Sequence, residues 1–155
     1  MTMESNSELS GAAAPAAADT QAGGMRRILM ADDNLSSLQL LTRLLKPMVQ
    51  AEFHEVRDGT AALAQFNLIK PHITLLDIDM PELDGLAVLE QIRAIDRQAF
   101  IVMVSAYSKP EVVRRAVELG IGGFVVKPFS PQRLATVLRQ YVATTGDAGM
   151  LRTPH

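Results

Sequence analysis

Five short apolar runs alternate with five stretches of helical spacing between about residue 28 and residue 142. Short apolar runs bounded by turn residues are typical of strands, and apolar residues three and four apart are typical of helices that pack on one side. Strict alternation favours parallel pairing through right-handed crossovers, with helices on both faces of the sheet. We therefore expect an α/β protein built around a five-stranded parallel sheet.

Residues that start and end helices mark the boundaries of these segments. Pro47 ends the first helix, because proline lacks the backbone N–H that a helix interior requires. Asp58 and Ser108 are typical helix caps, and Gly120 is suited to end the fourth helix in a left-handed turn. The second strand is more polar than the others, which favours the sheet edge. The expected strands are residues 28–31, 51–56, 73–77, 100–104 and 124–126, each followed by a helix.

The composition is that of one globular domain and excludes several functional classes. Of 155 residues 48% are hydrophobic, and 15 basic against 17 acidic side chains leave a net charge of −2, with no basic surplus for nucleic acid. The absence of cysteine excludes disulfides, thiolate metal sites and thiol catalysis. No apolar run approaches the roughly 18–20 residues that span a bilayer, and the acidic N-terminus is unlike a signal peptide. We expect a cytoplasmic protein that binds neither nucleic acid nor a membrane.

Both ends of the chain differ in composition from its centre. Residues 1–24 are rich in alanine and contain Pro15, so we expect a disordered leader. Residues 143–155 contain Gly146, Gly149 and Pro154, which predicts a flexible tail and leaves residues 25–142 as the folded domain. The region after Val142 is too short for a DNA-binding or cyclase module. Output is then expected through protein contact, unless the chain is a fragment of a larger protein.

Polar residues stand at the carboxyl ends of four expected strands. Asp32 and Asp33 follow the first strand, Asp77 ends the third, Ser105 follows the fourth and Lys127 follows the fifth. In a parallel sheet these ends emerge at one edge, where ligands bind in open α/β folds. Each residue alone fits a cap, a turn or a surface position. Their coincidence at four strand ends favours one shared site.

The residue types at this predicted site indicate phosphoryl chemistry. Three carboxylates in one cleft repel one another unless a cation neutralises them, and oxygen ligands without cysteine favour Mg²⁺. The Lys127 ammonium and the Ser105 hydroxyl can stabilise the oxygens of a phosphoryl group. This leaves Asp77 as the attacking nucleophile.

The motifs at these strand ends resemble those of the CheY-like receiver domains of two-component response regulators. The resemblance covers about residues 25–142 and implies the flavodoxin-like receiver fold, with strand order 2-1-3-4-5. The motifs that carry it are Asp32-Asp33, the run LLDIDMPELDG from Leu75 to Gly85, Val104-Ser105-Ala106, and Val125-Val126-Lys127-Pro128-Phe129.

The resemblance implies a role for each acidic residue of the cleft. Asp77 would be the site of phosphorylation. Asp33 and Asp77 would bind Mg²⁺ together with the backbone carbonyl of Asp79, and Asp32 would assist through water.

It also implies the parts of a conformational switch. Ser105 would be the hydroxyl and Phe124 the aromatic side chain that move together, and Lys127 would contact the phosphoryl group. The peptide bond between Lys127 and Pro128 is expected to be cis.

Partners follow from the same resemblance. A histidine kinase or a phosphotransfer protein would donate the phosphoryl group, and self-phosphorylation and self-dephosphorylation would be the only chemistry, so the protein would not be an enzyme. Phosphorylation would change the surface formed by the fourth helix, the fifth strand and the fifth helix. That surface would meet an unknown downstream protein or, in a homodimer, a second copy of the chain.

Two residues depart from the commonest receiver pattern. Asp79 adds a negative charge two residues after Asp77, and Tyr107 is a bulky residue two positions after Ser105. Both are expected to modulate access to an acyl phosphate. We expect the phosphorylated state to last longer with both residues present than with both made small.

Two alternatives remain open from the sequence. Asp77-Ile78-Asp79 also resembles the paired aspartates of haloacid-dehalogenase-type phosphatases, although Met80-Pro81 and the preceding Asp32-Asp33 do not fit that pattern. Turnover of a phosphate ester would distinguish such an enzyme. The other alternative is a receiver-shaped interaction module that works without phosphorylation, which the complete acidic and lysine set disfavours.

Overall fold

The computed structural model describes residues 25–106 and 109–152 of the chain. Within these residues five strands and five helices alternate in the predicted order, and a 3₁₀ turn follows the last helix. They are β1 (Arg26–Ala31), α1 (Leu35–Leu45), β2 (Ala51–Val56), α2 (Gly59–Ile69), β3 (Ile73–Asp77), α3 (Gly85–Ile95), β4 (Ile101–Ser105), α4 (Pro110–Glu118), β5 (Gly123–Val126), α5 (Pro131–Thr145) and the turn Ala148–Met150.

The strands form one parallel sheet in the order β2-β1-β3-β4-β5, which confirms the predicted fold class. The polar strand β2 lies at an edge, as its composition predicts. β3 and β4 are buried along their whole length because helices cover both faces of the sheet. The strand order reverses between β1 and β3, and ligands bind at the carboxyl ends of strands at such a point.

The sheet separates two hydrophobic clusters. Side chains alternate along a strand, so Ile28 and Met30 of β1 point to one cluster while Leu29 and Ala31 point to the other. The first cluster contains the buried faces of α1 and α5. The second contains those of α2, α3 and α4. The helices are thus held on the two faces of the sheet by the packing of their apolar sides in these clusters.

Side-chain caps fix the start of most helices. Asp58 Oδ1 accepts a hydrogen bond from Ala61 N at 2.7 Å, as predicted, and Gly120 follows α4 with a left-handed φ of 79°. The Lys109 side chain makes no cap bond to α4, and Ser108, the predicted cap of this helix, lies outside the described residues. Within the described ranges, no helix combines the length and the apolar character needed to cross a bilayer.

The residues after Val142 differ from the flexible tail expected from their glycine content. α5 continues to Thr145, and Gly146 ends it with a left-handed φ of 78°. The chain then turns back, so that Gln50 N donates to Met150 O at 2.8 Å and the Met150 side chain is fully buried. The expectation failed because these partners are distant in sequence. The predicted leader, residues 1–24, and residues 153–155 lie outside the described residues.

Candidate functional site

The ends of three strands bring charged side chains into one cleft. Carboxylate oxygens of Asp32, Asp33 and Asp77 all lie within 4.8 Å of one another. Lys127 Nζ lies 2.8 Å from Asp32 Oδ2 and 3.6 Å from Asp77 Oδ1. Asp32 and Asp77 are buried, whereas Asp33 is exposed at the mouth of the cleft. The parallel sheet thus assembles the predicted acidic group and its lysine from residues up to 95 positions apart in the sequence.

Ser105 completes the rim of the cleft as the last residue of β4. In the sheet Asp77 is paired with Val104, so Ser105 lies one residue beyond Asp77 on the neighbouring strand. Its side chain is buried, and its backbone carbonyl accepts a hydrogen bond from Lys127 N at 2.8 Å. The backbone of Ser105 therefore helps to place the lysine.

The loop from β1 to α1 is held by hydrogen bonds at several points. Asp32 N donates to Val56 O at 3.1 Å, which extends the β1–β2 pairing by one residue. Asp32 Oδ1 accepts from Asn34 N at 2.9 Å, and Asn34 in turn caps α1. The Arg57 guanidinium donates to the backbone carbonyl of Asp33 at 3.1 and 3.3 Å. Sequence reasoning missed Arg57, because a single exposed arginine after a strand forms no distinctive pattern.

The loop after Asp77 is folded tightly against the end of β3. Ile78 N donates to Val104 O at 2.9 Å, and Gly85 N donates back to Ile78 O at 2.9 Å. A Cβ atom on Gly85 would collide with the carbonyl oxygen of Asp77. Only glycine fits here, which explains why this residue begins α3 directly behind the acidic cleft.

Burial and neighbouring charges shift the pKa values of Asp77 and Lys127 in the cleft. The pKa of Asp77 is raised to about 7, chiefly by burial and then by the nearby Asp32 carboxylate, while Lys127 acts in the opposite direction. Burial disfavours the charge of Lys127, but its contacts with Asp32 and Asp77 outweigh that effect and raise its pKa. Without a cation, Asp77 is thus partly protonated near neutral pH while Lys127 stays charged.

The carboxylates of the cleft fit a magnesium ion. Asp32 Oδ2 is buried and ion-paired with Lys127, yet it has no well-directed hydrogen bond from any residue in the described part of the chain. A buried carboxylate oxygen in this state favours an additional cation. Hard oxygen donors from Asp32, Asp33 and Asp77 are the ligands that Mg²⁺ prefers.

The remaining predicted site residues lie around the cleft. Asp79 is exposed in the loop after β3. Phe124 is half-buried in β5, paired with Met103 of β4, and packs on the cluster formed by α2, α3 and α4. The peptide bond from Lys127 to Pro128 is cis, as predicted. Tyr107 lies outside the described residues.

Comparison with known proteins identifies the family. The family model of the response regulator receiver domain matches residues 28–139. The chain belongs to this family. The receiver is 34% identical over 116 residues to the chemotaxis protein CheY of Listeria monocytogenes, covering 75% of this chain and 98% of that protein. It is 32% identical over 114 residues to CheY of Bacillus subtilis, covering 74% and 95% of the two chains.

Solved structures agree with this assignment. The receiver superimposes on the chemotaxis protein CheY4 of Vibrio cholerae with a TM-score of 0.69 and 26% identity, over 76% of this chain and 99% of that one. The receiver domain of a putative LuxO repressor from Vibrio parahaemolyticus gives a TM-score of 0.73 at 22% identity, over 79% and 95%, which supports the fold alone.

Membership of the family excludes one of the two alternatives left open by the sequence. Receiver domains of two-component response regulators are in general phosphoacceptors rather than enzymes, and this receiver carries their acidic pocket. The alternative of a haloacid-dehalogenase-type phosphatase is therefore wrong.

Proposed function

We propose that Asp77 accepts a phosphoryl group from a histidine kinase or a phosphotransfer protein of a two-component phosphorelay. The observation that carries this proposal is the buried Asp77 carboxylate, with the Lys127 ammonium 3.6 Å away and two further carboxylates within 4.8 Å. A carboxylate in this setting can act as a nucleophile toward phosphorus, while fixed positive charge stabilises the transferring group.

Each residue of the cleft has one task in this reaction. A carboxylate oxygen of Asp77 attacks phosphorus, and its new O–P bond forms as the N–P bond of the donor phosphohistidine breaks, leaving the electron pair on the imidazole nitrogen. Lys127 stays protonated, because its pKa is raised, and interacts with the phosphoryl oxygens. Ser105 donates its hydroxyl hydrogen to one of those oxygens.

Magnesium would be held by Asp33 and Asp77 with the backbone carbonyl of Asp79, and by Asp32 through water. When bound, the ion supplies positive charge that neutralises the carboxylates and the phosphoryl oxygens. The charge of Asp32 also keeps the Lys127 ammonium directed into the cleft, at 2.8 Å.

Phosphorylation would then be read at the surface of α4, β5 and α5. In this proposal Ser105 moves toward the phosphoryl group and Phe124 rotates into the space that it leaves, which shifts the population of two packings. The surface would bind a downstream protein or a second copy of the receiver. We propose a cytoplasmic protein that acts through protein contact, without nucleic acid or membrane.

Intact-mass measurement after incubation with acetyl phosphate and Mg²⁺ tests the proposal. We expect wild type to gain the mass of one phosphoryl group and Asp77→Asn to gain none. Lys127→Gln should gain the group far more slowly, because the fixed positive charge is lost. If wild type gained no phosphoryl mass, the proposal would be rejected in favour of a receiver-shaped module that works without phosphorylation. A gain in Asp77→Asn would place the nucleophile elsewhere.

The lifetime of the acyl phosphate depends, in our proposal, on Asp79 in the loop after β3 and on Tyr107, two residues after Ser105 in the sequence. A negative charge and a bulky side chain both restrict the approach of water, so we expect the double variant Asp79→Ala, Tyr107→Ala to lose the phosphoryl group several-fold faster than wild type. The decay of the phosphorylated mass after removal of acetyl phosphate measures this. Equal or slower decay in the double variant would contradict the role of both residues.

A further inference from the structure

Residues 146–152 form a segment that we call the strap, and it lies at the pole opposite the acidic cleft. The strap follows α5 and returns to the start of β1 and to the connection between α1 and β2. The family match spans residues 28–139, so the strap and its main partner, Arg26, both lie outside the matched region. The strap therefore lies outside the part of the chain by which it is identified as a receiver.

A charged cluster fixes the first half of the strap. Asp147 accepts hydrogen bonds from Arg26 Nη2 at 2.6 Å and from the Tyr141 hydroxyl at 2.7 Å. Burial would raise the pKa of Asp147, but the bonds from Arg26 and Tyr141 outweigh burial and lower it. Asp147 is thus charged at neutral pH, and it joins the last turns of α5 to the first residue of β1.

Main-chain pairing and an apolar anchor fix the second half. Arg152 N donates to Met48 O at 2.9 Å, and Leu151 forms an antiparallel bridge with Val49. Met150, immediately before Leu151, is fully buried in the same cluster as Tyr141. The Tyr141 ring in turn packs edge-on against Phe100, with ring centroids 5.3 Å apart. Polar and apolar contacts together hold the strap against α1, β1 and α5.

α4 is held much more weakly than α5, although both belong to the proposed switch surface. α5 buries Leu134, Val137, Leu138 and Tyr141, whereas Ala116 alone is buried in α4 as the structure describes it. Lys109, the residue before α4, also makes no side-chain cap bond to the helix. Elements with few buried apolar contacts open at lower free energy than the rest of a domain.

We propose that the strap is a positioning device that fixes α5 to β1 and α1, so that α4 and β5 carry the change of surface when the receiver is switched. The part of this inference that concerns switching depends on the proposed function. The part that concerns the resting protein does not, because it follows from the contacts of Asp147 and Met150. Asp147 and Arg26 are then positioning residues for α5, far from the cleft.

Hydrogen exchange measured by mass spectrometry on the full chain tests the inference, with and without Mg²⁺ and beryllium fluoride, a phosphoryl analogue. In wild type we expect the analogue to change exchange in residues 109–126 at least three-fold and to leave residues 134–145 unchanged. In Asp147→Ala and Arg26→Gln, residues 134–145 should exchange about ten-fold faster before the analogue is added, and they should respond to it. Glu52→Gln, which removes an exposed pair with His54, is the matched control.

Two results would overturn the inference. One is that residues 134–145 of wild type respond to the analogue as strongly as residues 109–126. The other is that both strap variants exchange like wild type in α5. The gain of phosphoryl mass from acetyl phosphate is measured separately in each variant. We expect both strap variants to keep this gain, because their cleft is intact. A wild type that takes no label would reject the proposed function, while the comparison of resting α5 exchange would still decide whether the strap holds the helix.

Discussion

Asp77→Asn should melt at a higher temperature than wild type at pH 8 in the absence of divalent metal. The pKa of Asp77 is raised from 3.8 to about 7 in the folded protein, so the fold favours the neutral form. Such a group contributes stability that is fully present below its unfolded pKa and is lost as the pH rises through its folded pKa. At pH 8 the buried charge is therefore a penalty, which the neutral asparagine removes.

The expected gain is roughly 2–4 kcal/mol at pH 8, since each pKa unit corresponds to about 1.4 kcal/mol and the loss of the Lys127 contact offsets part of it. For a chain of this size the gain corresponds to roughly 5–15 °C in melting temperature. Thermal melts of both proteins in EDTA at pH 5 and pH 8 measure it. The gain should be clearly smaller at pH 5, where folded Asp77 is already neutral, and it disappears only as the pH falls below the unfolded pKa of 3.8.

Two further measurements make this prediction specific. Glu52→Gln removes an exposed carboxylate on β2 and should change the melting temperature little at either pH. Saturating Mg²⁺ should stabilise wild type and reduce its difference from Asp77→Asn, because the ion neutralises the carboxylates. A lower melting temperature for Asp77→Asn at pH 8 would mean that the Lys127 pair outweighs burial and repulsion.

Gly85→Ala should destabilise the receiver by at least about 3 kcal/mol, because the new Cβ overlaps backbone atoms rather than a movable side chain. The Cβ would collide with the carbonyl oxygen of Asp77 and would lie 2.9 Å from Cα of Ile78. Relief would require the loop after β3 to move, and that loop is tied by the 2.9 Å bond from Gly85 N to Ile78 O.

Gly123→Ala is the matched control for this substitution. A Cβ on Gly123 would meet Val137 Cγ2 at 3.4 Å, which is ordinary contact, so we expect a change within about 1 kcal/mol. Urea unfolding followed by circular dichroism measures both variants. Equal losses in the two variants would show that a general effect of alanine, rather than the collision behind Asp77, determines the result.

The fold and the main charges of the cleft could be predicted because they depend on local pattern and topology. Alternating strands and helices lead to a parallel sheet, and a parallel sheet places the ends of β1, β3 and β5 at one edge. Asp32, Asp77 and Lys127 therefore had to meet once the strands were assigned, and the structure confirms that they do. The carboxyl end of β4 lies one residue beyond its predicted position, which does not affect this result.

The features that sequence reasoning missed depend on partners far away in the chain. Asp147 and Arg26 are 121 residues apart, and no local pattern shows that they will pair. The glycines at 146 and 149 resemble those of a flexible end, although one closes α5 and the other lies against the Arg26 side chain. The raised pKa of Asp77 likewise arises from burial, which the sequence of the loop does not reveal.

The buried position of Met150 has a practical consequence for anyone who transplants this receiver into another protein. A cut after residue 139, where the family match stops, would divide α5 and expose the apolar cluster beneath it. A cut after residue 145 would keep the helix but remove Met150, which is fully buried in that cluster. Fusions and biosensors should therefore begin before Arg26 and continue through Arg152.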